Sequence, residues 1–209
     1  KIINEAVKIF SDAMGKRPIG FASGYASAND YTFPALVETG FKHGTVSCPT
    51  RNLPQCASIW GNSPLDIYYP HRNNRCLRGN LDFVEVPNTV DPDSRMWGGG
   101  HPLDLRIELV DAKNHWYTIE KSVRTQIDNN IKVKYLKAVT HNIFEYDNPV
   151  NFRRETLIKV ISSARKICED KGYKLVPATI EEIANEYRRG TPLPSEGEIQ
   201  LKLDTRGRS

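Results

Sequence analysis

Short strand-like runs and amphipathic helix-like runs alternate along most of the chain, and this alternation limits the possible folds more than any other feature. It predicts parallel βα units, because two parallel strands of one sheet need a crossover connection between them, usually a helix. Glycines at the ends of helical runs, such as Gly15 and Gly172, are typical helix stops. The apolar spacing predicts helices over 2–14, 32–39, 117–129, 151–171 and 179–189, and strands over 18–23, 43–48, 81–86 and 173–176.

Two stretches depart from this alternation. Residues 49–80 are rich in Asn, Pro and Arg, and they are predicted to form a long irregular loop of the kind that serves as a functional lid or stays disordered. Past Gly190 the apolar pattern fades. Because 209 residues bury one substantial core, we predict one domain over residues 1–189 and a polar tail or extended arm over 190–209.

The charge distribution argues against a nucleic-acid partner, and the hydropathy pattern argues against a transmembrane segment. The net charge of +4 arises from 29 basic and 25 acidic residues that are interspersed, so no clustered footprint for nucleic acid is present. No run of about 18 apolar residues exists, so no transmembrane segment is expected. The sequence leaves the oligomeric state open.

The four cysteines show no C-x-x-C pair, so neither a zinc knuckle nor a thioredoxin-type redox pair is indicated. Cys48 and Cys56 lie close enough in sequence to form a disulfide if the protein is exported. We favour reduced thiols at these positions and at Cys76, because a domain of this size does not need disulfides for stability.

Residues 135–146 are predicted to form a short buried strand that delivers His141 to its C-terminal end. In sheets built from βα units, catalytic side chains collect at that end. The alternative is a core histidine whose ring nitrogens are satisfied by its neighbours, and on this pattern alone that alternative is favoured. The other histidines show no paired spacing of metal ligands.

The order of several motifs resembles the polysaccharide deacetylase family, also known as the NodB-homology or carbohydrate esterase family. The resemblance covers residues 1–189, and within the family it is closest to deacetylases of surface-polysaccharide and O-antigen gene clusters. The matching motifs are Ile19-Gly-Phe-Ala-Ser-Gly-Tyr25, Thr32-Phe-Pro-Ala-Leu-Val-Glu-Thr-Gly-Phe41, Leu81-Asp-Phe-Val-Glu-Val-Pro87, Ala138-Val-Thr-His141 and Gly172-Tyr-Lys-Leu-Val-Pro-Ala-Thr-Ile-Glu-Glu182.

This resemblance implies a fold and a chemistry. The fold is α/β, a distorted and incomplete (β/α) barrel. The reaction is removal of an acetyl group from an N-acetylated sugar or polysaccharide by metal-assisted attack of water, with zinc as the expected divalent metal. The Asp-Asp and His-x-x-x-His motifs that hold the metal are absent from this sequence, so no metal ligand is assigned in this chain. We expect the βα units that carry them to precede Lys1.

The resemblance also assigns roles to individual residues. His141 matches the general acid that protonates the leaving amine. Tyr25 matches the residue whose backbone amide faces the oxyanion, whereas Ala22 replaces the arginine that orients the catalytic base. The run 91–97 is similar to a motif that braces the site. From this run we predict substrate-binding roles for Asp91, Asp93, Arg95 and Trp97.

Two other functions compete with this one. A non-catalytic relative that kept only the carbohydrate-binding groove is consistent with Ala22. A metal-independent glycoside hydrolase would use two carboxylates, with Glu85 and Glu145 as the candidates. In each case the partner is a carbohydrate. Surface-polysaccharide enzymes work on either side of the inner membrane, and we favour the cytoplasm over the periplasm.

Overall fold

The computed structural model describes residues 1–108 and 114–195, apart from the side chain of Trp97. The chain divides into two compact units, a first unit of Lys1–Pro87 and Thr179–Ser209 and a second unit of Asn88–Ala178. The elements are α1 (Ile2–Met14), β1 (Gly20–Ala22), α2 (Thr32–Glu38), β2 (His43–Thr45), β3 (Asn52–Leu53), β4 (Ser58–Ile59), β5 (Pro70–His71), β6 (Asn74–Arg78), β7 (Val84–Glu85), β8 (Val90–Met96), β9 (His101–Asp104), α3 (His115–Asp128), α4 (Phe152–Asp170) and α5 (Ile180–Gly190).

A parallel sheet in the order β1, β2, β7 organises the first unit. Gly44 lies at its centre, where a Cβ atom would stand 2.4 Å from the carbonyl oxygen of Phe21, so only glycine fits between the strands. Helix α5 packs against β2 and β7. It begins with a capping box, in which the Thr179 hydroxyl accepts from the amide of Glu182 and the Glu182 carboxylate accepts from the amide of Thr179. The aromatic core is formed by Phe33, Trp60, Tyr68 and Phe83.

Residues 49–80 are more ordered than the sequence predicts. They contain two antiparallel hairpins, β3 with β4 and β5 with β6. Asp30 anchors the second hairpin by accepting from the backbone amide and the guanidinium of Arg75, and Arg75 also lies over the ring of Trp60. The prediction of an irregular loop was wrong here, because three of the four strands, β3, β4 and β5, have only two residues each and leave no period-two pattern.

The second unit pairs one antiparallel hairpin, β8 with β9, with the helices α3 and α4. Both helices were predicted and are confirmed within a few residues at their ends. The glycine-rich stretch before His101 forms the turn of the hairpin. The core of this unit comprises Leu105, Ile107, Ile119, Val123, Val160, Ala164, Ile167 and Cys168.

Two predicted strands of the second unit are absent from the structure. Within 135–146, only Val139 forms a parallel bridge, with Arg106, and most of the segment is partly or fully exposed. Residues 173–176 form no strand, and Val176 is exposed. Both segments have strand-like sequences, but a strand needs a partner along its length, and these segments lack one.

The fold is therefore of the mixed α/β class that the alternation predicts. Among the described residues the strands form one three-stranded sheet and three two-stranded hairpins. The prediction of one domain over 1–189 with a tail over 190–209 stays a prediction, because residues 196–209 lie outside the described part. No described helix combines the length and the apolar character needed to cross a membrane.

Candidate active site

The candidate site lies on residues 103–108, which begin in β9 and continue past its end. Its alternating residues place apolar side chains toward the core and charged side chains on the opposite face. The run is held to Val139 by two hydrogen bonds, from the amide of Ile107 to its carbonyl and from its amide to the carbonyl of Leu105, each of 3.0 Å. The buried apolar members are Leu103, Leu105 and Ile107, and the charged members are Asp104, Arg106 and Glu108.

Glu108 and His141 form the central pair of the site. Oε1 of Glu108 is in hydrogen-bond contact with Nδ1 of His141. The glutamate side chain is 1% exposed and the histidine side chain is 56% exposed, so the pair joins a buried charge to an accessible ring. Because a carboxylate only accepts, Nδ1 donates, and Nε2 is the ring nitrogen left for a bound substrate.

Arg106 connects Glu108 to a second buried carboxylate. Its guanidinium donates to Asp104 over 3.1 Å and 3.4 Å, and its Nη1 atom lies 3.9 Å from Oε1 of Glu108. The carbonyl of Arg106 accepts from Nε2 of His115 at 3.0 Å, which holds the run against the start of α3. One cation between two buried carboxylates offsets part of the cost of removing them from water.

The loop after His141 is fastened to the first turn of α4. The guanidinium of Arg153 lies over two rings, 4.3 Å from the centroid of Phe144 and 4.5 Å from that of Phe152. Asn151 caps the helix by accepting from the amide of Arg153 at 2.9 Å. These contacts limit the movement of the segment that carries His141.

Asp91 and Asp93, which were predicted to bind substrate, both pair with Lys121. Burial alone would raise the pKa of Asp91, but hydrogen bonds from Lys121 at 2.5 Å and Ser94 at 2.6 Å lower it overall. Burial would lower the pKa of Lys121, and the two carboxylates raise it overall. Asp91 and Asp93 therefore form an ion-pair network with Lys121, which lies in the middle of α3.

This network borders a cavity of about 550 Å³ between β8, β9 and the first turn of α3. Arg95, another predicted substrate-binding residue, lines the same cavity. Trp97 lies in the turn of the hairpin, and its side chain lies outside the described part of the chain. The structure therefore brings Asp91 and Arg95 to one cavity.

Tyr25 lies in the first unit, directly beyond the C-terminal end of β1. It has φ 55°, and the next residue, Ala26, has φ 51°. Two consecutive non-glycine residues in the left-handed region are strained, and such strain is concentrated at functional sites. The turn is held by Trp60, whose Nε1 donates to the carbonyl of Ala26 at 2.8 Å. The Tyr25 side chain is exposed.

Ala22, which stands where the family has an arginine, lines a smaller cavity of about 210 Å³ in the first unit. His43 and Thr45 from β2 form another part of its wall. Burial lowers the pKa of His43, with Glu181 opposing this shift and Arg188 adding to it. A buried histidine that favours its neutral form supplies no fixed positive charge in place of the missing arginine.

Glu85, a candidate for a glycoside hydrolase, is fully buried in the first unit. Its Oε1 atom accepts from the amides of Val46 at 2.9 Å and Ser47 at 2.7 Å, and from the hydroxyl of Ser47 at 2.7 Å. This carboxylate accepts from the two backbone amides that follow directly after β2, which favours a structural role. Glu145 is exposed in the second unit.

The described residues do not by themselves fit the metal centre that the family resemblance implies. No three potential ligand side chains from the same unit lie within ligand distance of one another in residues 1–108 and 114–195. The histidine and carboxylate pairs of the second unit are His141 with Glu108 and His101 with Asp104, and a metal held by protein needs a larger set.

Sequence reasoning missed Glu108, although a signal for it was present. The run Leu103-Asp-Leu-Arg-Ile-Glu108 alternates strictly between apolar and charged residues, which is typical of a strand with one buried face. Such a strand places its three charged residues on one side. The contact of Glu108 with His141 spans 33 positions of sequence, so the pairing itself had no local signature.

Comparisons with known proteins give one similar structure. No protein-family model matches the chain, and no curated protein matches it. The chain is similar to a crystal structure described as "putative polysaccharide deacetylase from Mycobacterium smegmatis", with 17% sequence identity and a TM-score of 0.48. The similarity covers 97% of this chain and 60% of that one, so this chain spans less than two thirds of its length.

Proposed function

We propose that this chain is the His141-bearing part of a hydrolase that removes acetyl groups from an N-acetylated sugar or polysaccharide. One observation carries the proposal: the buried carboxylate of Glu108 contacts Nδ1 of His141, whose ring is half exposed. A histidine fixed through one nitrogen and open at the other is suited to general acid catalysis. The order of the sequence motifs indicates which reaction such an acid would serve.

In this function His141 protonates the departing amine. Water adds to the acetyl carbonyl and gives up a proton to a general base, a role that the resemblance assigns to the Asp-Asp motif, which this sequence does not contain. The resulting tetrahedral intermediate collapses as the C–N bond breaks. The proton on Nε2 of His141 moves to the amine nitrogen, and acetate is released. The Nδ1 proton stays on His141 throughout and is donated in a hydrogen bond to the Glu108 carboxylate, which stabilises the imidazolium form that carries the acidic proton.

The proposal gives Tyr25 the task of donating its backbone amide to the oxyanion. The strained left-handed turn at this residue supports that assignment, because such a conformation is kept where a backbone group must approach a ligand. The proposed substrate class is a surface polysaccharide, as the resemblance implies. We also propose that the hydrolase has the distorted (β/α) barrel fold that the resemblance implies.

A divalent metal, with zinc as the expected ion, is also part of the proposal. Bound metal would activate the attacking water and polarise the carbonyl oxygen. The resemblance assigns its ligands to the Asp-Asp and His-x-x-x-His motifs, which this sequence does not contain. Metal content of the purified full-length protein tests this part separately.

Acetate release from N-acetylchitotetraose by the full-length protein tests the function. We expect release by the wild type and its loss in His141→Ala. Glu145→Gln is the matched control, because Glu145 is an exposed residue of the same loop and has no role in this reaction. Wild-type protein that releases no acetate overturns the proposal.

The same experiment separates the two competing functions. The glycoside hydrolase alternative predicts shorter sugars as products, loss of activity in Glu145→Gln and no effect of chelation. The non-catalytic alternative is favoured by one observation, the alanine at position 22 where the family has an arginine. It predicts that the tetraose binds but releases no acetate.

A further inference from the structure

The cavity of about 550 Å³ in the second unit is lined by both apolar and polar side chains. Its lining includes two apolar side chains, Met96 and Leu103, which come from the two paired strands β8 and β9. A concave surface that combines an apolar floor with a few polar groups at its edge is the usual form of a small-molecule site.

The first turn of α3 supplies the opposite wall. Asn114 and Tyr117 both line the cavity, and their spacing of three residues places them on the same side of the helix. Tyr117 is 67% exposed, although large aromatic side chains are commonly buried. An aromatic ring beside an amide matches a pyranose, which offers an apolar C–H face for stacking and hydroxyl groups for hydrogen bonds.

The wall on the hairpin side is held in place by the ion-pair network. Asp91 is buried, and it accepts from Lys121 at 2.5 Å, from Ser94 at 2.6 Å and from the amide of Asp93 at 3.1 Å. Because the bond from Lys121 joins β8 to α3, it fixes the separation of the two walls. A site whose walls are fixed before binding loses little conformational entropy when the ligand enters.

The cavity lies on the same run of chain as the proposed catalytic pair. Leu103 lines the cavity, and Glu108 follows five residues later along the chain. Five extended residues span at most about 18 Å. An oligosaccharide chain bridges such a distance, so one sugar chain would reach from the cavity to His141.

We propose that this cavity is a subsite for a neighbouring sugar of an N-acetylated hexosamine chain, with Tyr117 stacking on the pyranose ring and Asn114 bonding its hydroxyl groups. The inference rests on the proposed deacetylase function and adds to it a preference for oligomeric substrates. A monosaccharide placed at His141 would leave the subsite empty.

Kinetics on substrates of two lengths test the subsite. In the full-length protein, Tyr117→Ala is expected to raise KM for N-acetylchitotetraose roughly five- to tenfold, the loss expected for one aromatic stacking contact. The kcat value and the KM for N-acetylglucosamine stay unchanged. Tyr117→Phe keeps the ring and retains the wild-type KM. Tyr31→Ala, which removes a tyrosine that is 79% exposed in the first unit, is the matched control.

Binding measured without turnover separates this inference from the proposed function. In a His141→Ala background, calorimetric titration with N-acetylchitotetraose is expected to show the same five- to tenfold weakening on adding Tyr117→Ala, and a smaller one on adding Asn114→Ala. Weakened binding on adding Tyr117→Ala, together with no acetate release by the wild type, supports the subsite and overturns the deacetylase function. Acetate release with unchanged KM and Kd in Tyr117→Ala overturns the subsite and leaves the function standing.

Discussion

Two buried glutamates, one in each unit, differ in what they contact. Glu85 in the first unit is 0% exposed and accepts three hydrogen bonds from Val46 and Ser47, two of them from backbone amides. Glu108 in the second unit is 1% exposed and contacts the half-exposed ring of His141. Burial is the same for both, so burial alone does not separate a structural carboxylate from one with a chemical role.

The partner of each carboxylate is what distinguishes them. A carboxylate that accepts from backbone amides stabilises one chain conformation, and its removal leaves buried donors without an acceptor. A carboxylate that orients an accessible imidazole influences what that ring does to a bound molecule. We therefore expect changes at Glu85 to alter stability and changes at Glu108 to alter activity.

Glu85→Ala gives the largest expected effect. It leaves two amides and one hydroxyl in the interior without their acceptor, which we expect to lower the free energy of unfolding by roughly 3–5 kcal/mol. Urea denaturation measures this loss. Glu85→Gln keeps one acceptor oxygen and is the matched control, with a smaller loss. A Glu85→Ala protein as stable as the wild type would contradict the structural role.

Glu108→Gln gives the next effect, and it falls on activity. The glutamine keeps the shape of the side chain but removes the charge that stabilises the imidazolium form of His141, so we expect kcat for acetate release to fall roughly 10²-fold. The urea midpoint is expected to change less than in Glu85→Ala. Equal loss of stability in both variants would remove the distinction between the two glutamates.

Asp91→Asn gives the smallest effect, a change in the pH dependence of stability. The pKa of Asp91 is lowered in the folded protein, so its contribution is present above its unfolded pKa of about 3.9 and is lost as the pH falls through the folded value. Wild-type protein should therefore lose more stability than Asp91→Asn below about pH 4. Unfolding free energies measured from pH 6 to pH 2.5 show this, and parallel curves would contradict the ion pair with Lys121.

The sequence predicts the helices of this protein better than its strands. Helices α1, α3, α4 and α5 carry long apolar stripes or caps, such as the box formed by Thr179 and Glu182, and these signals are local. The strand predicted over 135–146 was wrong because its pairing depends on a partner from elsewhere in the chain, and only Val139 finds one.

The candidate site shows the same difference between local signals, which the sequence carries, and contacts between distant residues, which it does not. The sequence singled out His141, whose exposed position agrees with a chemical role. It did not indicate Glu108, because a carboxylate contact between distant parts of the chain leaves no periodic pattern. It also predicted substrate-binding roles for Asp91 and Asp93, which stay predictions. In the structure both carboxylates pair with Lys121, and Asp91 lines a cavity.

The most direct test of the central claim, that Glu108 acts through His141, is a double-mutant cycle on acetate release by the full-length protein. It uses the wild type, Glu108→Gln, His141→Ala and the double variant. The account predicts that Glu108→Gln lowers kcat in the wild type and has no further effect once His141 is alanine. Full additivity of the two losses would contradict it, because Glu108 would then act independently of the histidine it contacts.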